Sequence, residues 1–373
     1  MLLSNPFEPD PRVYKEARSL VRAGFHVTVL AWDRAAAFPE NEIYDSIHVQ
    51  RIRSRGRYGA RLASIKSFLA FYRHALSILK KDRPDAVHCH DLDVAPLGWL
   101  AHKLGWTQYF IYDAHEPDYY GYFPRTLKFL LDRLERFLAR NANGVMITNS
   151  VQEKKFASMG IRQIIMLRNV PSQTVQALPP PEPKIDGFPI IGRIGFITAE
   201  LGIENLLQAI HDLSDDYPDI RAVLIGKVHP QFQEAFDRLL QEHSHRLIYP
   251  GFLPYPEVLA HYHQFTLSFN LYASNAHYRF GTPTKLYESM AFGVPVLVSP
   301  IGDVAEILQE APCGLLLPDL KTETIKHAIE ELLKDRTRYE AFKKAAIEGF
   351  RKHYNWELME RRLLTFYNSL HFE

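Results

Sequence analysis

Cysteine is nearly absent: the 373 residues include two, Cys89 and Cys313, set far apart inside apolar segments. No disulfide framework can be built from them, and buried free thiols in a reducing compartment are expected. Long apolar runs are missing as well. No stretch reaches the length of a membrane span, and Glu8, Pro9 and Asp10 interrupt any leader at the N-terminus. A cytoplasmic protein is expected, soluble or peripheral at the inner membrane face. Net charge is almost nil: 44 Lys+Arg against 43 Asp+Glu leaves +1. The molecule as a whole is no polyanion binder, so any basic function is local. There is no short-period repeat, which removes solenoids, and no G-x-G-x-x-G fingerprint.

What is present is an α/β rhythm. Asp10 is placed to cap a helix with Pro11 at its first position, and Val13, Ala17, Leu20 and Val21 form its inner stripe. Gly24 stops it, and Phe25 to Trp32 reads as a strand. Together with a short strand at Met1 to Asn5 this predicts a β-α-β opening and a parallel doubly wound sheet. Strands are predicted at 86–90, 109–112 and 144–148, and helices after Asp93 and over 124–141. Pro179-Pro180-Pro181 reads as a linker. The second half repeats the rhythm, with strands at 189–197, 221–225, 247–249 and 266–271. Its helices are expected at 202–213, 231–240 and 256–263. Helices anchored by Trp356, Leu363, Phe366 and Tyr367 close the chain. Two α/β domains facing each other across a cleft are the architecture expected.

The densest stretch runs from Tyr278 to Ser299, Y-R-F-G-T-P-T-K-L-Y-E-S-M-A-F-G-V-P-V-L-V-S. Gly281 and Pro283 punctuate a loop. A helix over about 284–292 follows, with Thr282 or Thr284 as its N-cap and Gly293 as the left-handed residue after it. Val294 to Ser299 is a buried-strand run. A helix start with Lys285 in its first turn outlines an anion site, and Glu288, one turn on, can accept from sugar hydroxyls. The plain reading of the spacing alone is a loop–helix–strand unit with solvated charges.

P-T-K-L-Y-E-S-M-A-F-G-V-P-V resembles the nucleotide-sugar signature of family 4 retaining glycosyltransferases with the GT-B fold. D-P-R-V-Y-K-E-A-R-S-L resembles that family's first loop and helix, and L-R-N-V-P at 167–171 its crossing between domains. The resemblance implies an acceptor-side Rossmann-like domain over 1–170 and a nucleotide-sugar domain over 171–351, with a tail from about 352 returning to the first. It implies transfer of a sugar from a nucleotide-sugar donor to a glycan or lipid-linked acceptor, without cofactor or metal. By the same resemblance Glu288 grips the donor ribose, and Lys285 with the helix dipole, or Arg193 of the G-R at 192–193, neutralises the diphosphate. Gly226-Lys227 resembles the glycine turn near the nucleotide. Asp10 and Arg12 belong to the acceptor side.

Two constellations lie at strand ends: H88-C-H90-D91-L-D93 and Y112-D113-A-H115-E116. Strand alternation puts His88 and His90 on one face, where with Asp91 and Asp93 they imitate an H-x-H metal site of a hydrolase. The plainer alternative is one buried, hydrogen-bonded imidazole with Asp93 capping the next helix. In the family resemblance His90, Asp91, Asp113 and Glu116 line the acceptor side, and His115 lies against donor sugar and acceptor. A nucleotide-sugar epimerase would instead use Asp113 or Glu116 as acid and base. Departures from the pattern keep a non-catalytic GT-B module open. Phe280 stands where a Glu eight residues before Glu288 is usual, and Leu201 where a Lys is usual. G195-F-I-T198 also competes with Gly192-Arg193 for alignment. Backbone N–H groups of Phe280, Gly281 and Thr282, with Pro283 and Thr284, can serve the donor instead.

From Arg51 to Lys81 there are nine Lys or Arg residues and no carboxylate. From about Ala60 the pattern is helical, with an apolar face of Leu62, Ile65, Leu69, Tyr72, Leu76 and Leu79 widened by Phe68, Phe71, Ala75 and Ile78. Lys66, Arg73 and Lys80 fall seven apart. A solvated crossover helix is one reading. An anionic membrane surface met through 51–81 is the other, ranked above nucleic acid because base-stacking motifs are absent.

Overall fold

The computed structural model describes residues 1–8, 10–54, 61–115, 123–181, 189–255, 257–273 and 279–372, with backbone only over 61–65. Pro9, Arg55, Arg57, Glu116, Tyr278 and the expected helix start at Pro256 lie outside the described residues. Two units are formed: Met1–Asn169 with Met359–Glu373, and Val170–Leu358. Among the described residues no helix is long and apolar enough to cross a membrane.

In the first unit, β1 (Leu2–Leu3) leads to α1 (Pro11–Arg22), and β2 (Thr28–Trp32) to β3 (Asn41–Tyr44) and β4 (Ile47–Ile52). The Asp10 carboxylate accepts from Arg12 N and Val13 N, so the expected cap and N1 proline are in place. Then follow α2 (Arg61–Asp82), β5 (Ala86–His90), α3 (Ala95–Lys103), β6 (Tyr109–Ala114), α4 (Arg125–Asn141), β7 (Gly144–Ile147), α5 (Ser150–Ser158) and β8 (Ile164–Met166). The sheet order is β3-β4-β2-β1-β5-β6-β7-β8. All pairings are parallel except β3 with β4. That hairpin was not predicted. Asp45 and Ser46 both take positive φ, 48° and 67°, in its two-residue turn.

The hairpin also corrects the basic stretch. Arg51 is buried and donates to the carbonyls of Pro6, Pro39 and Phe7, and it pairs with Glu42 at 2.5 Å. Arg53 pairs with Glu40. Carboxylates from β3 and the residue before it therefore neutralise two of the arginines counted as surface charge. On α2, Phe71, Ala75 and Leu79 are buried, whereas Leu69, expected on the inner face, is 61% exposed. Lys66, Arg73 and Lys80 are exposed as expected. Asp93 does not cap α3, whose N-cap is Val94 without a side-chain bond.

The second unit holds β9 (Ile190–Ile194), α6 (Ile203–Asp212), β10 (Arg221–Ile225), α7 (Gln233–Glu242), β11 (Leu247–Gly251), α8 (Glu257–Ala260) and β12 (Leu267–Asn270). After these come α9 (Thr284–Ala291), β13 (Val296–Val298), α10 (Val304–Glu310), β14 (Gly314–Leu316), α11 (Thr322–Lys334) and α12 (Arg336–His353). Its parallel sheet has the order β11-β10-β9-β12-β13-β14. Ile191, Leu224, Leu267 and Leu297 of that sheet pack with Leu206, Ile210, Phe236 and Ile329 of its helices. Gly293 follows α9 with φ 67°, as expected for a residue that ends a helix in the left-handed region. The last helix, α13 (Trp356–Ser369), begins in the second unit, and from Met359 onward belongs to the first.

In both sheets the strand order reverses beside a central strand, at β1/β5 in the first and β9/β12 in the second. Crevices at the carboxyl ends of such strands are where open α/β sheets take ligands.

Candidate functional site

At that end of the first sheet, chain segments from α1, β5, β6 and α13 bring together a buried polar network. Arg12 grips Asp113 with two bonds, Nε to Oδ2 at 3.2 Å and Nη2 to Oδ1 at 2.6 Å. It also donates to Leu167 O and Asn169 Oδ1, and its Nε lies 3.0 Å from Glu16. Arg12 and Glu16 are four apart on α1, so they share a face. Asp113 is fully buried. Around its Oδ2 stand His115 Nε2 at 3.1 Å, His90 Nδ1 at 3.3 Å and His88 Nε2 at 3.6 Å. His88 and His90 stack with centroids 4.4 Å apart, the one-face placement that strand alternation predicts. Tyr367 OH, from α13, is bonded to His88 Nδ1 at 2.9 Å. Asp91, at φ 72°, accepts from His115 N at 3.0 Å.

The electrostatics sort these groups by charge. Burial pulls the His115 imidazole down, but Asp113 and Asp91 outweigh it and hold it up at about 9. Burial pushes Asp113 up, yet Arg12 and then His115 hold it well below the usual carboxylate range. Asp91 is raised to about 6, chiefly by burial. Burial, then the neighbouring Asp113, lifts Glu16 to about 8. Burial lowers His88, and burial with His88 beside it lowers His90 further. At neutral pH two cations, Arg12 and His115, therefore face two anions, Asp113 and Asp91, in a nearly dry setting. Such a charge-balanced cluster is rigid, because each bond is costly to leave unmade. It presents His115, 14% exposed, as an imidazolium donor.

The partners expected for a metal-binding H-x-H, Asp91 and Asp93, are not those the fold supplies. Among the described residues the donor atoms that converge, within 4.8 Å of one another, belong to Glu16, His88, His90 and Asp113. The Arg12 guanidinium already bridges the two carboxylates of that set. Asp113 is likewise clamped rather than presented, which removes it as a freely accessible acid or base. Asp10 is occupied as the cap of α1 and by Asn5 Nδ2 at 3.2 Å.

In the second unit, the loops after β9 and β10 touch. A Cβ on Gly226, φ 146°, would sit 1.9 Å from Gly195 O, so only glycine permits this approach. A Cβ on Gly195, φ 129°, would meet Lys285 Cε at 3.5 Å. The Lys285 side chain thus lies over the glycine turn. Its Nζ reaches Glu288 at 2.9 and 3.1 Å, one turn on along α9. Glu288 is buried and also accepts from Tyr262 OH at 3.1 Å. This places a lysine, a carboxylate and two glycine turns at the strand ends, at the start of a helix whose N-cap, Pro283, makes no side-chain bond.

Other expected residues are placed differently. Neither Thr282 nor Thr284 caps α9. Thr282 Oγ1 donates to Asp303 instead, which ties the loop before α9 to the start of α10. Gly302 N donates to Arg279 O at 3.0 Å, and a Cβ on Gly302 would meet Gly281 O at 2.5 Å. The Arg279 guanidinium covers the Phe280 ring. Arg193 is buried, donates to Phe269 O at 3.0 Å and lies over the Tyr272 ring. Lys227 is exposed and sits over Phe252. Glu16, Tyr262 and the polar use of Tyr367 were not anticipated. The i, i+4 spacing to Arg12 was a usable sign of Glu16.

Comparisons with known proteins agree with this division. Residues 9–169 match the glycosyl transferase 4-like domain, and residues 175–349 match the glycosyl transferases group 1 family. Spore coat protein SA of Bacillus subtilis is 22% identical over 191 residues, a match covering 50% of each chain, so the chain spans about half the length of that curated relative. Sucrose-phosphate synthase of Thermosynechococcus elongatus superposes with a TM-score of 0.78 at 19% identity, over 99% of this chain and 98% of that one. Anabaena HepE in complex with UDP gives 0.72 at 15%, over 99% of both. With both halves matched and the whole fold shared, the chain belongs to the glycosyltransferases of the GT-B fold.

Proposed function

We propose that this protein transfers a sugar from a nucleoside diphosphate sugar to a hydroxyl of a glycan or lipid-linked acceptor, with retention at the anomeric carbon and without a metal. The observation that carries this reading is the Lys285–Glu288 pair over the Gly195 and Gly226 turns. Glycine turns let a diphosphate approach the backbone, and N–H groups of the first turn of α9 with Lys285 favour an anion there. Glu288 accepts from the ribose hydroxyls, and Lys285 exchanges part of its contact with Glu288 for phosphate. Arg193, bonded inward to Phe269 O, leaves that role to Lys285.

In the reaction the acceptor oxygen bonds to the anomeric carbon on the face from which the diphosphate departs. The carbon–phosphate-oxygen bond breaks, its electron pair stays on the diphosphate, and the acceptor proton passes to a leaving phosphate oxygen. Lys285 and the helix N–H groups stabilise the charge that develops. His115, held cationic by Asp113 and Asp91, is the first unit's candidate hydrogen-bond donor to a substrate oxygen. Because Anabaena HepE was solved with UDP and with UDP-glucose, uridine nucleotides are the first donors to test.

Calorimetry with UDP, GDP and ADP, followed by Lys285→Ala and Glu288→Ala, tests the site. Loss of a charge-assisted contact is worth roughly 1.5–3 kcal/mol, about ten- to a hundredfold in affinity. Unchanged affinity in both variants removes this site as the donor pocket. The anomeric configuration of the product, read by NMR, decides retention.

A further inference from the structure

A crossover helix in an α/β unit turns its apolar stripe to the sheet and its charges to water. Helix α4 does the reverse over most of its length. Among the described residues, Leu138, Ala139 and the half-buried Leu131 pack on the core of the first unit, Phe137 meets Trp99 edge to face at 5.1 Å while staying 46% exposed, and buried Glu135 is bound by Tyr112 OH and Lys155. Outward, Leu127, Leu130, Leu134 and Phe137 follow one another at three- and four-residue steps, and Phe129 stands beside them; Phe129 is 58% and Leu130 61% exposed. Arginines run alongside: Arg125, Arg133 and Arg136 are exposed, and the Arg133 guanidinium lies over the Phe129 ring at 5.5 Å. A hollow of about 630 Å³ on this face is lined by Phe129, Asp132, Arg133, Arg136, Phe137, Arg140 and Asn141.

We propose that α4 is an interfacial element that docks the first unit on an anionic phospholipid surface, with its leucines and phenylalanines among acyl chains and its arginines at the phosphates. The charge is what selects this occupant. The helix carries two carboxylates: Glu135 is buried and paired, and Asp132 is half-buried, so the exposed face is apolar and cationic. That pairing of a large apolar face with flanking arginines is the composition of helices that lie in a bilayer interface. Helices α2, α3 and α4 adjoin in sequence order. The exposed Lys66, Arg73 and Lys80 of α2 add cationic charge to the same unit. The inference is independent of the donor site, which lies in the other unit.

The test is co-sedimentation of the full chain with phosphatidylcholine vesicles and with vesicles containing phosphatidylglycerol. At low salt the anionic vesicles should capture the protein at least tenfold more tightly, and 0.5 M NaCl should weaken capture. The double variant Phe129→Ser with Leu130→Ser should lose at least tenfold in partitioning, as should Arg133→Gln with Arg136→Gln. Both pairs are exposed, so thermal midpoint and UDP affinity should stay at wild-type values. Equal capture by neutral and anionic vesicles overturns the proposal, as does wild-type partitioning by the Ser variant. A dimer that the Ser variant dissolves, with no vesicle binding by the wild type, overturns it in favour of a second copy.

Discussion

The charge state of His115 makes the sharpest quantitative test. Replacing it with Gln keeps a hydrogen-bonding side chain and removes the proton that Asp113 and Asp91 stabilise. Lifting an imidazole from 6.5 to about 9 is worth about 3 kcal/mol, at about 1.4 kcal/mol per pH unit. The sign follows from the direction. A raised imidazole gives its full contribution below pH 6.5, loses it through the window up to about 9, and gives none above. The stability of wild type relative to His115→Gln should therefore fall by about 3 kcal/mol between pH 6 and pH 10. Glu16 titrates in the same window, and because the His115 charge lowers both Glu16 and Asp91 these carboxyls rise in the variant, so the gap reads the coupled cluster rather than one imidazole. Urea unfolding followed by tryptophan fluorescence reads chiefly the relevant unit, because three of the four tryptophans, Trp32, Trp99 and Trp106, lie in it and Trp356 in the other. A gap that stays constant from pH 6 to pH 10 refutes the charged imidazole. The same variant should lower turnover much more than nucleotide affinity, and should remove any alkaline limb near pH 9 from the rate profile.

Arg12→Ala leaves Asp113 and Glu16 buried without their shared cation, so the first unit should lose about 3–5 kcal/mol in denaturant titration, with Arg12→Lys recovering part of it. Gly226→Ala drives a Cβ against Gly195 O, and overpacking of this kind costs roughly 1–3 kcal/mol. Its thermal midpoint and UDP affinity should both fall, whereas Gly105→Ala, at φ 67° with nothing within 4 Å, carries the backbone strain of a positive φ without the clash and should lower the midpoint less and leave UDP affinity unchanged. Transfer activity should persist in EDTA. Activity abolished by chelator and restored by one divalent ion would point back to His88, His90 and their carboxylate neighbours.

Much of this was legible in residue order, for local reasons. Asp10-Pro11 announces a helix start, the apolar run before Ser299 a buried strand, and the alternation in H-C-H the shared face of His88 and His90. What was illegible depended on distant partners. The hairpin of β3 and β4 turns on Asp45-Ser46, which lacks the Asn-Gly or Asp-Gly that marks such turns. Without the hairpin, Arg51 and Arg53 read as surface charge. Thr282 looks like a cap until Asp303 competes for its hydroxyl. The apolar period of α4 is plain, but periodicity does not say which way the stripe points. The donor pocket was half legible: the Lys285–Glu288 spacing is local, while Tyr262 and the Gly195–Gly226 approach are made by the sheet.

The bond between Tyr367 and His88 also sets an order of assembly. Residues 170–358 form a continuous unit and can fold as soon as they have been synthesised. The first unit cannot finish, because α13 supplies its share of the polar network only after the whole second unit has emerged. Until then His88 lacks its hydroxyl partner. The hydroxyl that holds His88 is thus supplied last, which makes docking of α13 on this network, rather than formation of either sheet, the late step of biosynthesis.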